Sequence, residues 1–218
     1  MPLGGWWVAD AWERGPVYLF AWVVWVIGSI VLHELAHGWA AIRCGDRTPI
    51  ELGHMTANPL VHMGQMSLIV FGIVGIAWGA MPVTPSRFRR EHDDALVAFA
   101  GPAMNLSLAF VAAVLLTLWM KTAVANSWTG PFANNILQFL HVGIFLNIAL
   151  AIFNLMPVPP LDGSRILASF SPPYARFIDT EQGRTAGLIA FIAMFWFGGR
   201  SLWSTAMSIE DALLKLLG

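Results

Sequence analysis

His33, Glu34 and His37 are the residues whose types and spacing most directly promise chemistry. They stand in Val31-Leu32-His33-Glu34-Leu35-Ala36-His37-Gly38, an H-E-x-x-H pattern. On a helix, residues four apart share one face. His33 and His37 can therefore offer two imidazoles to a single metal ion. Glu34 flanks the same place, where it can take a proton from water at the ion. In a soluble helix the pattern is about as often a pair of packed, hydrogen-bonded histidines. Here it lies inside an apolar run from Pro16 to Ile42. Ionisable groups at membrane depth are costly and mark functional sites, so the metal reading outweighs the packing one.

The elements that must position these residues are membrane spans. Of 218 residues, 57% are hydrophobic and 11% charged, a balance that excludes an ordinary soluble domain. A crossing takes about 20 mostly apolar residues. Pro16–Ile42, Asp94–Met120, Asn135–Leu155 and Thr185–Phe197, the last extending towards Met207, are the candidates. The chain reads as an all-α polytopic membrane protein of about four to six transmembrane helices, with a re-entrant or extended segment near the site. A single membrane-embedded domain accounts for residues 1–218, with its core over 16–167 and C-terminal helices over 185–218. The first apolar run is too long for a cleavable signal and carries the metal motif, so it is expected to be retained. The net charge of -1 gives no case for nucleic acid as a partner. Cys44 is the only cysteine, which excludes an internal disulfide.

The connections carry further signals. Met1–Gly15 is Trp-rich, and Trp6 and Trp7 suit a membrane interface; a disordered tail is the equal alternative. Arg47–Met66 is broken by Thr48-Pro49, Gly53, Asn58-Pro59 and Gly64. It reads as non-helical, with short stretches extended enough to pair with an unwound substrate. His54 and His62 within it are weak spare ligands. Ser67–Met81 is apolar but short, and arginines stand on both sides of it. Positive residues gather on the cytoplasmic side, so this segment is expected to enter and return without crossing. Ile209–Leu217 reads as an interfacial helix, with Asp211 and Lys215 four apart on its polar side.

A catalytic zinc commonly takes three protein ligands and keeps a fourth position open. The topology selects the third. With Ser67–Met81 folded back, the span from Asp94 leaves the positive side and the span from Asn135 returns to it. That third span runs into Met156-Pro157-Val158-Pro159-Pro160-Leu161-Asp162-Gly163. The prolines stop the helix and hold Asp162 stiffly on the histidines' side. Leu35 precedes Arg43 by eight residues, roughly 12 Å of helix, so the ion would sit inside the membrane near its cytoplasmic face. The second span carries Ala100-Gly101-Pro102-Ala103-Met104-Asn105, where Gly-Pro permits close packing and a local break. Asn105 is either an interhelical hydrogen bond or a substrate contact.

H-E-L-A-H in one span, A-G-P-A-M-N in a second and N-L-M-P-V-P-P-L-D-G ending a third, taken in order, resemble the site-2 protease family, the zinc intramembrane metalloproteases of peptidase family M50. The likeness runs from about Val31 to Leu167. It implies one Zn2+ per chain held by His33, His37 and Asp162, with Glu34 as catalytic base. It places Asn154 beside the substrate, and Asn105 is carried with it as a substrate-binding candidate. The minimal members are the ones resembled, since no room is left for a PDZ or CBS domain. The implied activity is hydrolysis of peptide bonds within or near the transmembrane segments of membrane-anchored regulatory proteins. The implied setting is multi-pass in a bacterial or archaeal cell membrane, with the site opening towards the cytoplasm. The partners are then the lipid bilayer and a membrane-spanning protein, and Gly183-x-x-x-Gly187 admits a homo-oligomer. The rival readings are a membrane zinc protease of CAAX-processing type and a non-catalytic metal-binding membrane protein.

Overall fold

The structure, a computed structural model, describes residues 6–218 apart from the side chain of Phe195. The first five residues of the expected domain lie outside it. A short helix α1 (Trp7–Glu13) leads into the long α2 (Pro16–Cys44). Then come α3 (Thr48–Glu51), α4 (Pro59–Val74), α5 (Asp93–Ala125) and α6 (Pro131–Asn154). The chain ends with α7 (Asp162–Phe170), α8 (Pro172–Asp179), α9 (Glu181–Phe197) and α10 (Gly199–Leu217). Among the described residues there is no strand.

Helices α2, α5 and α6 are each long and apolar enough to cross a membrane. Helices α9 and α10 meet at 65° and count as a fourth span if the bent pair is taken together. The chain is thus a multi-pass integral membrane protein with three such spans, or four with the bent pair, where about four to six were expected. The expected interfacial helix over Ile209–Leu217 is the end of the longer α10, which is anchored by the fully buried Ala206.

The three long helices pack on one another. Ala109, Ala112, Ala113 and Leu116 of α5 meet Leu140, Ile144 and Ile148 of α6, with Ala206 of α10 closing the cluster. Lipid tails are as apolar as leucine, so association depends on close van der Waals contact, and alanines permit it. The outer face of α5 presents Phe110, Val111, Leu115 and Leu118, as expected where lipid is the solvent. On the other side, Ala21, Val26 and Ile30 of α2 pack with Val142 and Leu146 of α6 and with Met63 and Phe71 of α4. Trp25 lies between α2 and α6 and donates its indole N–H to the Phe139 carbonyl at 2.9 Å.

The reading of Arg47–Met66 as extended strands is corrected. It contains α3 and the first turns of α4. The prolines taken as breakers sit at helix starts: Pro49 opens α3, and Pro59 opens α4 behind the Asn58 cap, whose Oδ1 accepts the Leu60 N–H at 3.0 Å. Proline lacks only a donor that the first turn leaves unpaired in any case. The Ser67–Met81 segment does double back. Helix α4 stops at Gly75 in the left-handed conformation (φ 81°). Ser67 then donates to the Trp78 carbonyl at 2.7 Å and accepts the Trp78 N–H at 2.9 Å. The Ala80 N–H reaches the His62 carbonyl at 2.9 Å. Trp6 and Trp7 tie α1 to the far end of α4, where both indoles donate to the Gly72 carbonyl, at 3.1 and 3.2 Å.

Asp46 anchors the returning chain beside the end of α2. It is fully buried and accepts the Thr48 N–H at 2.9 Å, the Thr48 hydroxyl at 2.5 Å and the Thr84 N–H at 2.6 Å. Burial alone would raise its carboxyl; the bonds from Thr48 and Thr84 overcome this and hold it below the ordinary 3.8. Removing the carboxylate leaves two amides without their acceptor. Asp46→Ala should therefore cost roughly 2–4 kcal/mol, read as a lower melting temperature of the detergent-solubilised protein. The folded group titrates below the unfolded one, so its contribution is complete above pH 3.8 and fades as pH falls from there through the lowered value. The gap in melting temperature between wild type and variant should close over that acidic range and not at neutral pH.

Candidate metal centre

Helix α2 places His33 and His37 one turn apart with both rings on the face that meets α5. The rings stand edge to face, 4.6 Å between centroids. Each ring uses its Nδ1–H on an acceptor from α5. His37 donates to the Val97 carbonyl at 2.7 Å and His33 to Asn105 Oδ1 at 2.6 Å. Such outer partners fix the tautomer and leave Nε2 free as a ligand atom. The two Nε2 atoms are 3.0 Å apart.

Asp162 completes the set. It opens α7, just after the proline run that ends α6. Its Oδ2 lies 3.1 Å from His33 Nε2 and 3.3 Å from His37 Nε2. Tyr174 of α8 braces this corner, donating to the Pro157 carbonyl and meeting the Ser164 hydroxyl, both at 2.9 Å. Arg165 holds Asp94 at the start of α5 at 2.6 Å. Asp94, the residue from which the second span was expected to start, is thereby a tie between α5 and α7.

The donor set fits zinc. A tetrahedral centre with bonds of about 2.0–2.1 Å sets its ligand atoms about 3.3 Å apart. The three separations, 3.0–3.3 Å, match that edge. Two imidazoles with outer acceptors and one carboxylate leave a fourth direction free. Glu34, also buried, turns towards the segment that returns from α4. A Cβ on Gly79 would stand 2.7 Å from Glu34 Oε1. Among the described residues nothing donates a hydrogen bond to the Glu34 carboxylate, so it can receive a proton.

The remaining predicted residues are placed differently. Asn105 is fully buried and spends both ends of its amide on protein, the oxygen on His33 and the nitrogen on Asn147 at 3.0 Å. Of the two readings the sequence offered for Asn105, these bonds favour the interhelical one, with its oxygen turned onto His33. Asn154 is partly exposed and turns its amide onto its own helix, donating to the Leu150 carbonyl at 3.0 Å. His54 and His62 face each other at 6.4 Å and bond to the Leu52 and Thr56 carbonyls, outside the cluster. Sequence reasoning missed Gly101. A Cβ there would collide with both Nε2 atoms and stand 2.6 Å from His33 Cε1. The available signal was the four-residue spacing of Val97, Gly101 and Asn105, which puts acceptor, gap and acceptor on one helical face.

Comparison with known proteins agrees with this geometry. A family model described as peptidase family M50 matches residues 21–197. YwhC of Bacillus subtilis, named as a zinc metalloprotease, is 36% identical over 198 residues, covering 89% of each chain. Rip2 of Mycolicibacterium smegmatis is 30% identical over 167 residues, 72% of this chain and 61% of its own. MJ0611 of Methanocaldococcus jannaschii is 31% identical over 142 residues, 65% of this chain and 66% of its own. Both relatives are likewise named as zinc metalloproteases. No solved structure matches the chain. The family match sets aside the CAAX-processing and non-catalytic readings.

Gly101→Ala tests whether α5 must leave this gap. One methyl group would enter the space between the imidazoles. Zinc content after purification should fall from about one per chain to near zero, while Gly72→Ala, at a site with open space around it, should leave it unchanged. Full zinc occupancy in Gly101→Ala would show that the rings do not bind where α5 faces them.

Proposed function

This chain belongs to peptidase family M50 and is a zinc metalloprotease, and from that premise we propose that it hydrolyses peptide bonds within or near the membrane-spanning segments of anchored regulatory proteins. The observation that carries the reading is the place of the centre. Three ligand atoms converge within 3.3 Å on a helix long and apolar enough to cross a membrane, with Glu34 beside them. A protease working only on soluble chains would have no reason to bury its site among spans.

His33, His37 and Asp162 are proposed as the ligands of one zinc ion. Bound zinc supplies Lewis acidity, lowering the pKa of a water and polarising a carbonyl. Glu34 takes the proton of the attacking water as the new C–O bond forms. It then passes that proton to the amine released when the C–N bond breaks. Asn105 keeps His33 in the tautomer that offers Nε2. Asn154, at the end of α6 and eight residues before Asp162, is proposed to lie beside the substrate, where its side chain must leave the Leu150 carbonyl to reach it.

The setting proposed is a bacterial or archaeal cell membrane, with residues 1–218 acting as one membrane-embedded domain. Arg43, Arg47, Arg89 and Arg90 are all exposed near the end of α2 closest to the site, which supports an opening towards the cytoplasm. The partners proposed are lipid and a single-span protein.

The test is cleavage of a single-span substrate by the purified chain in lipid vesicles, with the cut mapped by mass spectrometry. Wild type should cut within or next to the apolar span. Glu34→Gln should keep its zinc and lose about 100-fold or more in rate. Cutting confined to a distant soluble flank would overturn the intramembrane reading, and undiminished cutting by Glu34→Gln would overturn the role of the base.

A further inference from the structure

The bond from Asn105 to His33 does not end at Asn105. Its amide nitrogen donates to Asn147 Oδ1 of α6 at 3.0 Å, and Asn147 Nδ2 donates to the Gly143 carbonyl at 2.9 Å. Asn105 and Asn147 are both fully buried. The chain therefore runs from α2 through α5 to the backbone of α6.

The polarity of this chain follows from its far end. A backbone carbonyl can only accept. Facing Gly143 O, Asn147 must present its NH2 group, so its oxygen points at Asn105. Asn105 must then present its own NH2 group to that oxygen, and its oxygen points at His33. His33 can satisfy that oxygen only with Nδ1–H, which leaves the Nε2 lone pair for a metal. Reversing any one amide sets two acceptors or two donors against each other in a buried place, at a cost that water cannot relieve. His37 obtains the same instruction directly from the Val97 carbonyl. His33 Nδ1 bonds the Asn105 side chain instead, and two amides carry the instruction to it from α6.

We propose that Asn147 is a positioning residue for the metal centre: through Asn105 it fixes the tautomer of His33 and so sets the affinity for zinc. The proposal deepens the reading of His33, His37 and Asp162 as ligands and rests on it. Asn147 lies outside the candidate ligand set and acts through Asn105. Without it, the Asn105 amide is free to turn its NH2 group towards His33, and the ring then turns its proton to Nε2.

The experiment measures zinc affinity by chelator competition on the purified full chain in detergent. Nitrogen chemical shifts of the labelled, zinc-free protein report the His33 tautomer, with His33→Ala used to assign the signal. Asn147→Leu should weaken zinc binding by about 10–100-fold and give His33 a mixture of tautomers. Asn105→Asp combined with Asn147→Leu should restore both, because a carboxylate accepts through either oxygen and needs no partner to set its direction. Should Asn147→Leu fail to fold, Asn147→Ser serves: its hydroxyl can bond the Gly143 carbonyl but is too short to hold the Asn105 amide, and the same losses are expected. A variant that is less stable yet keeps wild-type zinc affinity and a pure Nδ1–H signal would overturn the proposal, as would failure of the double variant to recover. Equal zinc affinity in His33→Ala and wild type would instead sink the ligand assignment beneath it.

Discussion

The close crossing of α2 and α5 is the constraint on which the centre depends. Val97, Gly101 and Asn105 lie four residues apart along one face of α5, and His37 and His33 lie four apart along the facing side of α2. Val97 pairs with His37 and Asn105 with His33, while Gly101 leaves the gap that both Nε2 atoms occupy. One contact therefore does three things: it satisfies both Nδ1 donors, selects the tautomers and keeps space for an ion. Two imidazoles buried in an apolar bundle are otherwise costly, and here each polar atom is given either an acceptor or a place in the ligand set.

The third member of the candidate ligand set is delivered by a different device. Asp162 belongs to no span; it follows a stretch in which three prolines forbid helix and limit the backbone. Stiffness alone does not aim a carboxylate. Its aim comes from the bracing of α7 on both sides, by Tyr174 against the Ser164 hydroxyl and by Arg165 against Asp94. A ligand carried by a loop needs such ties, because an error of an ångström would take Oδ2 out of the set.

The chain between α2 and α5 serves the site from its other flank. It leaves the end of α2, runs out along α4 and comes back, so that the Arg89 N–H meets the Cys44 carbonyl at 3.1 Å. On its way the returning stretch passes Glu34 at Gly79 and Gly38 at Met81. Asp46 secures one end of this excursion, and the Trp6 and Trp7 indoles secure the other on Gly72. The Glu34 face of α2 is thus covered by a segment held at both ends and not by a further span.

Much of this was written in the sequence. The H-E-x-x-H spacing places two imidazoles on one face of any helix, and apolar runs of about 20 residues fix the membrane setting. Arginines on both flanks of Ser67–Met81 indicated a segment that turns back, and this in turn put Asp162 at the right end of the bundle. Local rules settle such features, since they need only period, length and charge. Other features passed unread for the same reason. Pro49 and Pro59 looked like breakers because a proline read alone does not reveal whether a helix starts there. Gly101 looked like a packing residue, and Asn105 stood open between an interhelical bond and a substrate contact, because which side chain an amide or a gap faces depends on a second helix. The sequence by itself determined the candidate ligand types and the spans that carry the histidine pair. Only the tertiary structure decided their acceptors, their tautomers and the space between them, because each is a property of two helices meeting and of neither one alone.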